Sequence, residues 1–152
     1  MRARLTHVGP IASRMREIDR MECEAIGRTP RQALRDGLVC SLNPLTVMVN
    51  DRPEVMLGVV PQSLMEGRGI VWLLGTDEVY KYPKEWALLG PRLLAAMAAD
   101  CPCLENIVSV GNHRSIAFLR HLGFTVGGGP VRHGGMDFLG FRYAIQDEPA
   151  HA

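Results

Sequence analysis

The apolar residues of this chain change their period several times, and each change marks an element. A short segment, Leu5 to Val8, precedes Gly9-Pro10 and is predicted as a first strand. Ile11, Met15, Ile18, Met21 and Ala25 follow at steps of three and four, which places them on one helical face and predicts a helix ending at Gly27. Thr29-Pro30 opens a second, shorter helix, because a threonine hydroxyl caps free N–H groups and proline's missing N–H costs nothing in a first turn. Gly37 closes it. Leu45 to Val49 and Val55 to Val60 are β-rich and are separated by Asn50-Asp51-Arg52-Pro53, a turn-forming cluster, so they are predicted to pair as a hairpin. Beyond a loop from Pro61 to Gly69, the unbroken apolar run Ile70-Val71-Trp72-Leu73-Leu74 predicts a central strand covered on both faces.

From Asp77 to Ala99 the period is helical, with either a division or a kink expected at Gly90-Pro91, since an interior proline removes a ladder bond and clashes with the preceding turn. Ile107 to Val110 reads as a strand, Asn112 to Leu122 as a helix stopped by Gly123, and Phe124 to Val126 as a strand. Gly127-Gly128-Gly129-Pro130 and Gly134-Gly135 frame an irregular stretch before the last strand, Met136 to Ala144. The predicted order is β-α-α-β-β-β-α-β-α-β-β. This describes an α/β chain with a mixed sheet, forming one domain over residues 1–145 with a loose tail at 146–152. A doubly wound dinucleotide fold would alternate strand and helix throughout and carry Gly-x-Gly-x-x-Gly after its first strand. Neither feature is present.

Composition narrows the function classes. A chain of 152 residues, 47% hydrophobic and 22% charged, buries enough surface to fold without disulfides or metal. Its formal charge of +1 and 6% aromatic content give no footprint for nucleic acid. No apolar run reaches membrane-spanning length; the stretch Leu88 to Ala99 is interrupted by Gly90, Pro91 and Arg92. Leu5 to Ile11 is too short and polar for the core of a secretory signal, so an intracellular protein is expected. Cys101 and Cys103 are spaced too closely to bridge each other and more closely than a zinc knuckle, and the five histidines are scattered. Reduced thiols and no metal are therefore expected.

The run Asn112-His113-Arg114-Ser115-Ile116-Ala117-Phe118-Leu119-Arg120-His121-Leu122-Gly123-Phe124, preceded by the strand Ile107 to Val110, resembles the strand-helix-strand signature of the GCN5-related N-acetyltransferases (GNAT). The element order is similar to theirs too. The resemblance implies that Asn112 and Ser115 contact acyl-coenzyme A, that Leu74 and Gly75 border the same cofactor, and that Leu122-Gly123-Phe124 starts the next strand. It also implies a V-shaped gap between the strand ending at Leu74 and the one ending at Val110, with Asn112 facing it.

A second resemblance extends from about His7 to Tyr143. Met15-Arg16-Glu17-Ile18-Asp19-Arg20-Met21-Glu22, Trp72-Leu73-Leu74-Gly75-Thr76-Asp77 and Leu104-Glu105-Asn106-Ile107-Val108 are similar to an acetyltransferase-like family of tailed bacteriophages and prophages. That family includes an internal virion protein of short-tailed phages. The resemblance implies a phage product located in the host cytoplasm or the virion. Its implied partners are other virion proteins or a host protein, with a small-molecule acyl donor, acetyl-coenzyme A.

Acyl transfer to an amine needs a cradle for the carrier's diphosphate, a route for the ammonium proton and, usually, an acid for the leaving thiolate. Where the GNAT family has a glycine-rich loop of bare N–H groups, this chain has Gly75-Thr76-Asp77-Glu78-Val79. Two carboxylates there imply repulsion of a phosphate, on the order of 1 kcal/mol per close exposed pair. The tyrosine that commonly serves as acid seven positions after the asparagine is Leu119 here. Tyr80 or Tyr82 is a substitute candidate acid, with water as the alternative, and Glu66, ahead of the central strand, is a candidate base. The same loop also reads as a helix cap, with Thr76 as cap and Asp77 and Glu78 in a favourable first turn. A non-catalytic virion or host-binding protein on the same scaffold is the alternative function.

Overall fold

The computed structural model of the chain describes residues 1–145, and the tail expected at 146–152 lies outside them. Six strands, β1 (Leu42–Val49), β2 (Arg52–Ser63), β3 (Arg68–Gly75), β4 (Cys103–Ser109), β5 (Thr125–His133) and β6 (Met136–Ala144), form one sheet in the spatial order β1-β2-β3-β4-β6-β5. Every neighbouring pair is antiparallel except β3 and β4, so the sheet is mixed as expected. The helices are α1 (Val8–Ser13), α2 (Glu17–Ala25), α3 (Pro30–Cys40), α4 (Pro83–Asp100) and α5 (His113–His121).

Alternation along the strands divides the apolar residues between two layers. On one face of the sheet, Val8, Ile11 and Leu34 pack on Met56, with Trp72 and Leu74 at the margin. On the other, Leu94, Ala98 and Ile116 of α4 and α5 pack on Val59, Val71, Leu104 and Val108. The hairpin forms as predicted: Asn50 and Asp51 hold φ at 50° and 61°, the left-handed pair that a tight turn between twisted strands requires.

Several elements differ from the sequence reading. α3 does not close at Gly37 but runs on to Cys40, with Gly37 buried inside it against Trp72. Leu5 to Val8 is not a strand. Leu5–His7 is a 3₁₀ turn leading into α1, and Pro10 is accommodated in that helix's first turn. The sheet-like contacts fall earlier, where Ala3 N donates to Pro44 O and Thr46 N donates to Met1 O. The observed order therefore begins with helices, α-α-α-β-β-β-α-β-α-β-β. The single helix expected from Ile11 to Gly27 is broken at Arg14 to Arg16, because Arg16 N donates to Gly75 O and the chain must be extended there to reach it.

The division expected at Gly90-Pro91 occurs instead at Tyr82-Pro83, after a 3₁₀ turn over Asp77–Lys81. Pro91 lies inside a continuous α4 with its ring on the exposed side. Gly90 brings that helix against α5: a Cβ there would lie 2.9 Å from Phe118 Cζ, so packing holds the helix through the missing bond. The Gly127 to Pro130 stretch is a register shift within β5 rather than a separate loop.

Candidate functional site

Strands β3 and β4 pair over only three positions, Arg68 with Cys103, Gly69 with Leu104 and Ile70 with Glu105. Past that point they part. β2 holds the outer edge of β3 as far as Gly75, and β6 holds β4 as far as Ser109, so each strand is anchored on its far side only. The Asn106 amide spans the vertex, Nδ2 donating to Val71 O at 2.8 Å. The gap implied between Leu74 and Val110 is thus present. A cleft of about 620 Å³ passes through it, bounded by Asp19, Glu22 and Cys23 of α2 on one side of the sheet and by Trp86, Ser115 and Phe118 on the other.

Backbone groups alternate along a strand, so the residues whose polar groups point into the fork are Val71, Leu73 and Gly75. Gly75 is already occupied: its N–H donates to Asp19 Oδ2 at 3.0 Å and its carbonyl accepts from Arg16 N at 2.9 Å. The N–H and C=O of Leu73 remain as the polar edge of the cleft. Leu74 lines the cleft with its side chain, while its backbone belongs to the ladder with Met56. Glycine is required at 75 for packing, since a Cβ there would lie 2.8 Å from Val55 Cγ2 and 2.9 Å from Glu54 O.

Asn112 is buried at the end of the fork. It caps α5, accepting from Ser115 N at 3.4 Å, and its Nδ2 donates to Glu22 Oε1 at 2.7 Å. Ser115 lines the cleft beside it. Burial pushes the Glu22 carboxyl above the ordinary carboxylate range, and the neighbouring Asp19 adds to the shift. The Asn112 amide and Ser109 oppose it without cancelling it. The Ser109 hydroxyl is buried beside this carboxyl yet meets no partner at hydrogen-bond geometry. Among the described residues no cation lies within ion-pair distance of Glu22.

Glu22 was not among the residues singled out from sequence, because the face of α2 was read in the wrong phase. The inward residues are Asp19, Glu22 and Cys23, whereas Met21 is 42% exposed. This helix covers a polar fork instead of a core, so its buried stripe is not apolar. Asp19 is held by Arg16, Nη2 to Oδ2 at 2.7 Å. Burial nevertheless keeps its carboxyl raised against the pull of Arg16 and the Gly75 N–H. The Cys23 thiol, buried between these two acids, is pushed up to about 12 and stays protonated.

Glu66 is placed far from this chemistry. It lies in the turn before β3, paired with Arg68 at 3.0 Å, at the end of the strand opposite Gly75, and β3 alone spans roughly 23 Å from Arg68 to Gly75 at strand rise. Tyr80 is near the fork but is held between two cations, with Arg114 Cζ 3.9 Å and Arg16 Cζ 5.5 Å from its ring centroid. It lines a second cavity, of about 500 Å³, on the α4/α5 side. The carboxylates expected to repel a phosphate line neither cavity. Glu78 pairs with Lys81 at 2.9 Å, and Asp77 lies in the first turn of a stretch that Thr76 caps. The Thr76 hydroxyl in turn donates to the buried Glu54. All four cysteines are free, and among the described residues no three of His, Cys, Asp and Glu cluster as metal ligands.

No protein-family model and no curated protein sequence matches the chain. Solved structures do. The ribosomal-protein-alanine N-acetyltransferase of Brucella melitensis superposes with a TM-score of 0.65 at 14% identity, over 95% of this chain and 98% of that one. The ribosomal L7/L12 α-N-protein acetyltransferase in complex with coenzyme A gives 0.66 at 13% identity, over 95% and 92%. An acetyltransferase of the GNAT family from Streptococcus pneumoniae gives 0.63 at 14% identity, over 96% and 98%. The chain has the GNAT acetyltransferase fold.

Proposed function

We propose that this chain is an acyl-coenzyme A-dependent N-acyltransferase that uses acetyl-coenzyme A to modify a primary amine. The observation that carries the reading is the fork itself: two neighbouring strands anchored only from outside, with a cleft through the sheet and the buried Asn112 beside it. The residues present fit a thin amide-bearing arm. The free N–H and C=O of Leu73 offer it a strand-like partner, and Ser115 and Phe118 border its path. They do not fit a diphosphate at the usual loop, because the N–H groups of Gly75, Thr76 and Glu78 already donate to Asp19, Glu54 O and the Thr76 hydroxyl.

A bound thioester supplies an electrophilic carbonyl. The chain supplies position and a proton acceptor. Glu22, buried, held by Asn112 and lacking a cation, is suited to receive an ammonium group from the α2 side and to take its proton. Its raised affinity for protons brings it nearer to the amine's than an exposed carboxylate would be. Leu119 lines the cleft where a tyrosine acid would stand, so protonation of the leaving thiolate falls to solvent or to a group other than residue 119.

Calorimetric titration with acetyl-coenzyme A tests the reading: a saturable heat supports it, and no heat and no thermal shift at millimolar ligand ends it. A second reading, a virion or host-binding protein of a phage on the same scaffold, is favoured by the occupied Gly75 groups and by Leu119, together with the phage-like sequence stretches. Mass spectrometry of purified particles tests its packaged form, which fails if the chain is absent from them.

A further inference from the structure

The two cavities differ in sign. The larger is lined on its α2/α3 side by Asp19, Glu22 and Asp36. The smaller is lined by Arg16, Arg114 and His121, with no acidic side chain. Arg16 is committed to Asp19 at 2.7 Å, which leaves Arg114 as the cation with donors to offer. Its guanidinium carbon lies over the Tyr80 ring, 3.9 Å from the centroid, and among the described residues it forms no ion pair or hydrogen bond. Stacking engages the face of a guanidinium and leaves its in-plane N–H fork free, the geometry that grips two phosphate oxygens at once.

The same residue stands in the first turn of α5, where Asn112 caps Ser115 N and the helix dipole adds a further attraction for negative charge. Trp86, Ser115, Phe118 and Leu73 line both cavities, so an anion held at Arg114 is continuous with the fork.

We propose that Arg114, braced on Tyr80, is the diphosphate anchor of this protein and replaces the N–H loop that Asp19, Glu54 and Thr76 have occupied. The ligand class is a diphosphate ester with an extended amide-bearing arm, and the assignment rests on the acyl-carrier reading of the fork. It gives Tyr80 a bracing role in place of an acid's. It also explains why the altered Gly75 to Val79 loop need not abolish carrier binding.

The test is calorimetry on the full chain with three probes: coenzyme A, inorganic pyrophosphate and phosphate-free pantetheine. Arg114→Ala is expected to weaken coenzyme A at least tenfold, to abolish detectable pyrophosphate binding and to leave pantetheine unchanged. Arg114→Lys is expected to fall between, keeping charge without the fork. Arg114 is exposed, so both variants should keep the wild-type circular dichroism and melting temperature. Equal coenzyme A affinity in wild type and Arg114→Ala overturns the anchor and leaves the acyl-carrier reading standing. Pyrophosphate binding that depends on Arg114, without coenzyme A binding, supports the anchor and removes the carrier reading. Binding of neither by the wild type overturns both.

Discussion

The Asn112 amide donates to the Glu22 carboxylate at 2.7 Å across 90 residues of sequence. This contact ties the helix on one face of the sheet to the cap of the helix on the other, at the point where β3 and β4 have separated. One side chain therefore does three things: it satisfies an orphan N–H of α5, it orients a cleft carboxylate that has no cation partner among the described residues, and it closes the end of the fork.

Asn112→Ala should lose stability by about 1–3 kcal/mol, the sum of a missing cap and a buried carboxylate deprived of its donor. Urea unfolding followed by circular dichroism measures it. Asn112→Asp should restore the cap yet place a second carboxylate against Glu22, so it should be rescued at low pH and not at neutral pH.

Glu22→Gln keeps the shape and the oxygen that accepts from Asn112 but removes the buried charge. A carboxyl whose folded-state affinity for protons is raised destabilises the fold as pH rises through the ordinary carboxylate range toward that raised value, and is neutral below it. The variant should thus equal the wild type near pH 3 and be at least as stable at pH 7, while amine acetylation falls by about a hundredfold or more. Thermal melts across pH, paired with thioester-consumption rates, separate the two effects.

Glu54 has the opposite sign. Burial alone would raise its carboxyl, but bonds from Arg14, Thr76 and Arg52 together outweigh that and lower it. Its contribution is present above the ordinary carboxylate range and is lost as pH falls through the lowered value. Glu54→Gln should destabilise at pH 7 by about 2–4 kcal/mol, moderated because Arg14 and Arg52 reach solvent, and should flatten the acid limb of the stability profile.

Gly37 lies under the Trp72 ring, where a Cβ would stand 2.4 Å from Cζ2. The ring is fixed by its Nε1, which donates to Ser41 Oγ at 2.7 Å. Gly37→Ala gains about 1 kcal/mol of helix propensity yet should lower stability by about 1–3 kcal/mol through overpacking. A fall in melting temperature with a shift in tryptophan emission is the expected record.

What the sequence determined by itself was whatever local periodicity and punctuation encode. The hairpin at Asn50-Asp51, the apolar β3, the last strand from Met136 to Ala144 and the helix following Asn112 were legible because each depends on neighbours within a few residues. The tertiary structure decided what depends on distant partners. Arg16 breaks a periodic helix to reach Gly75, Gly90 lets α4 run through Pro91 by packing on α5, and the register with β2 turns Leu73, not Leu74, toward the fork. Glu22 and Arg114 stayed hidden for the same reason. A charged residue on a helix has the same local pattern whether it faces water or a cleft, and only the other side of the sheet settles which.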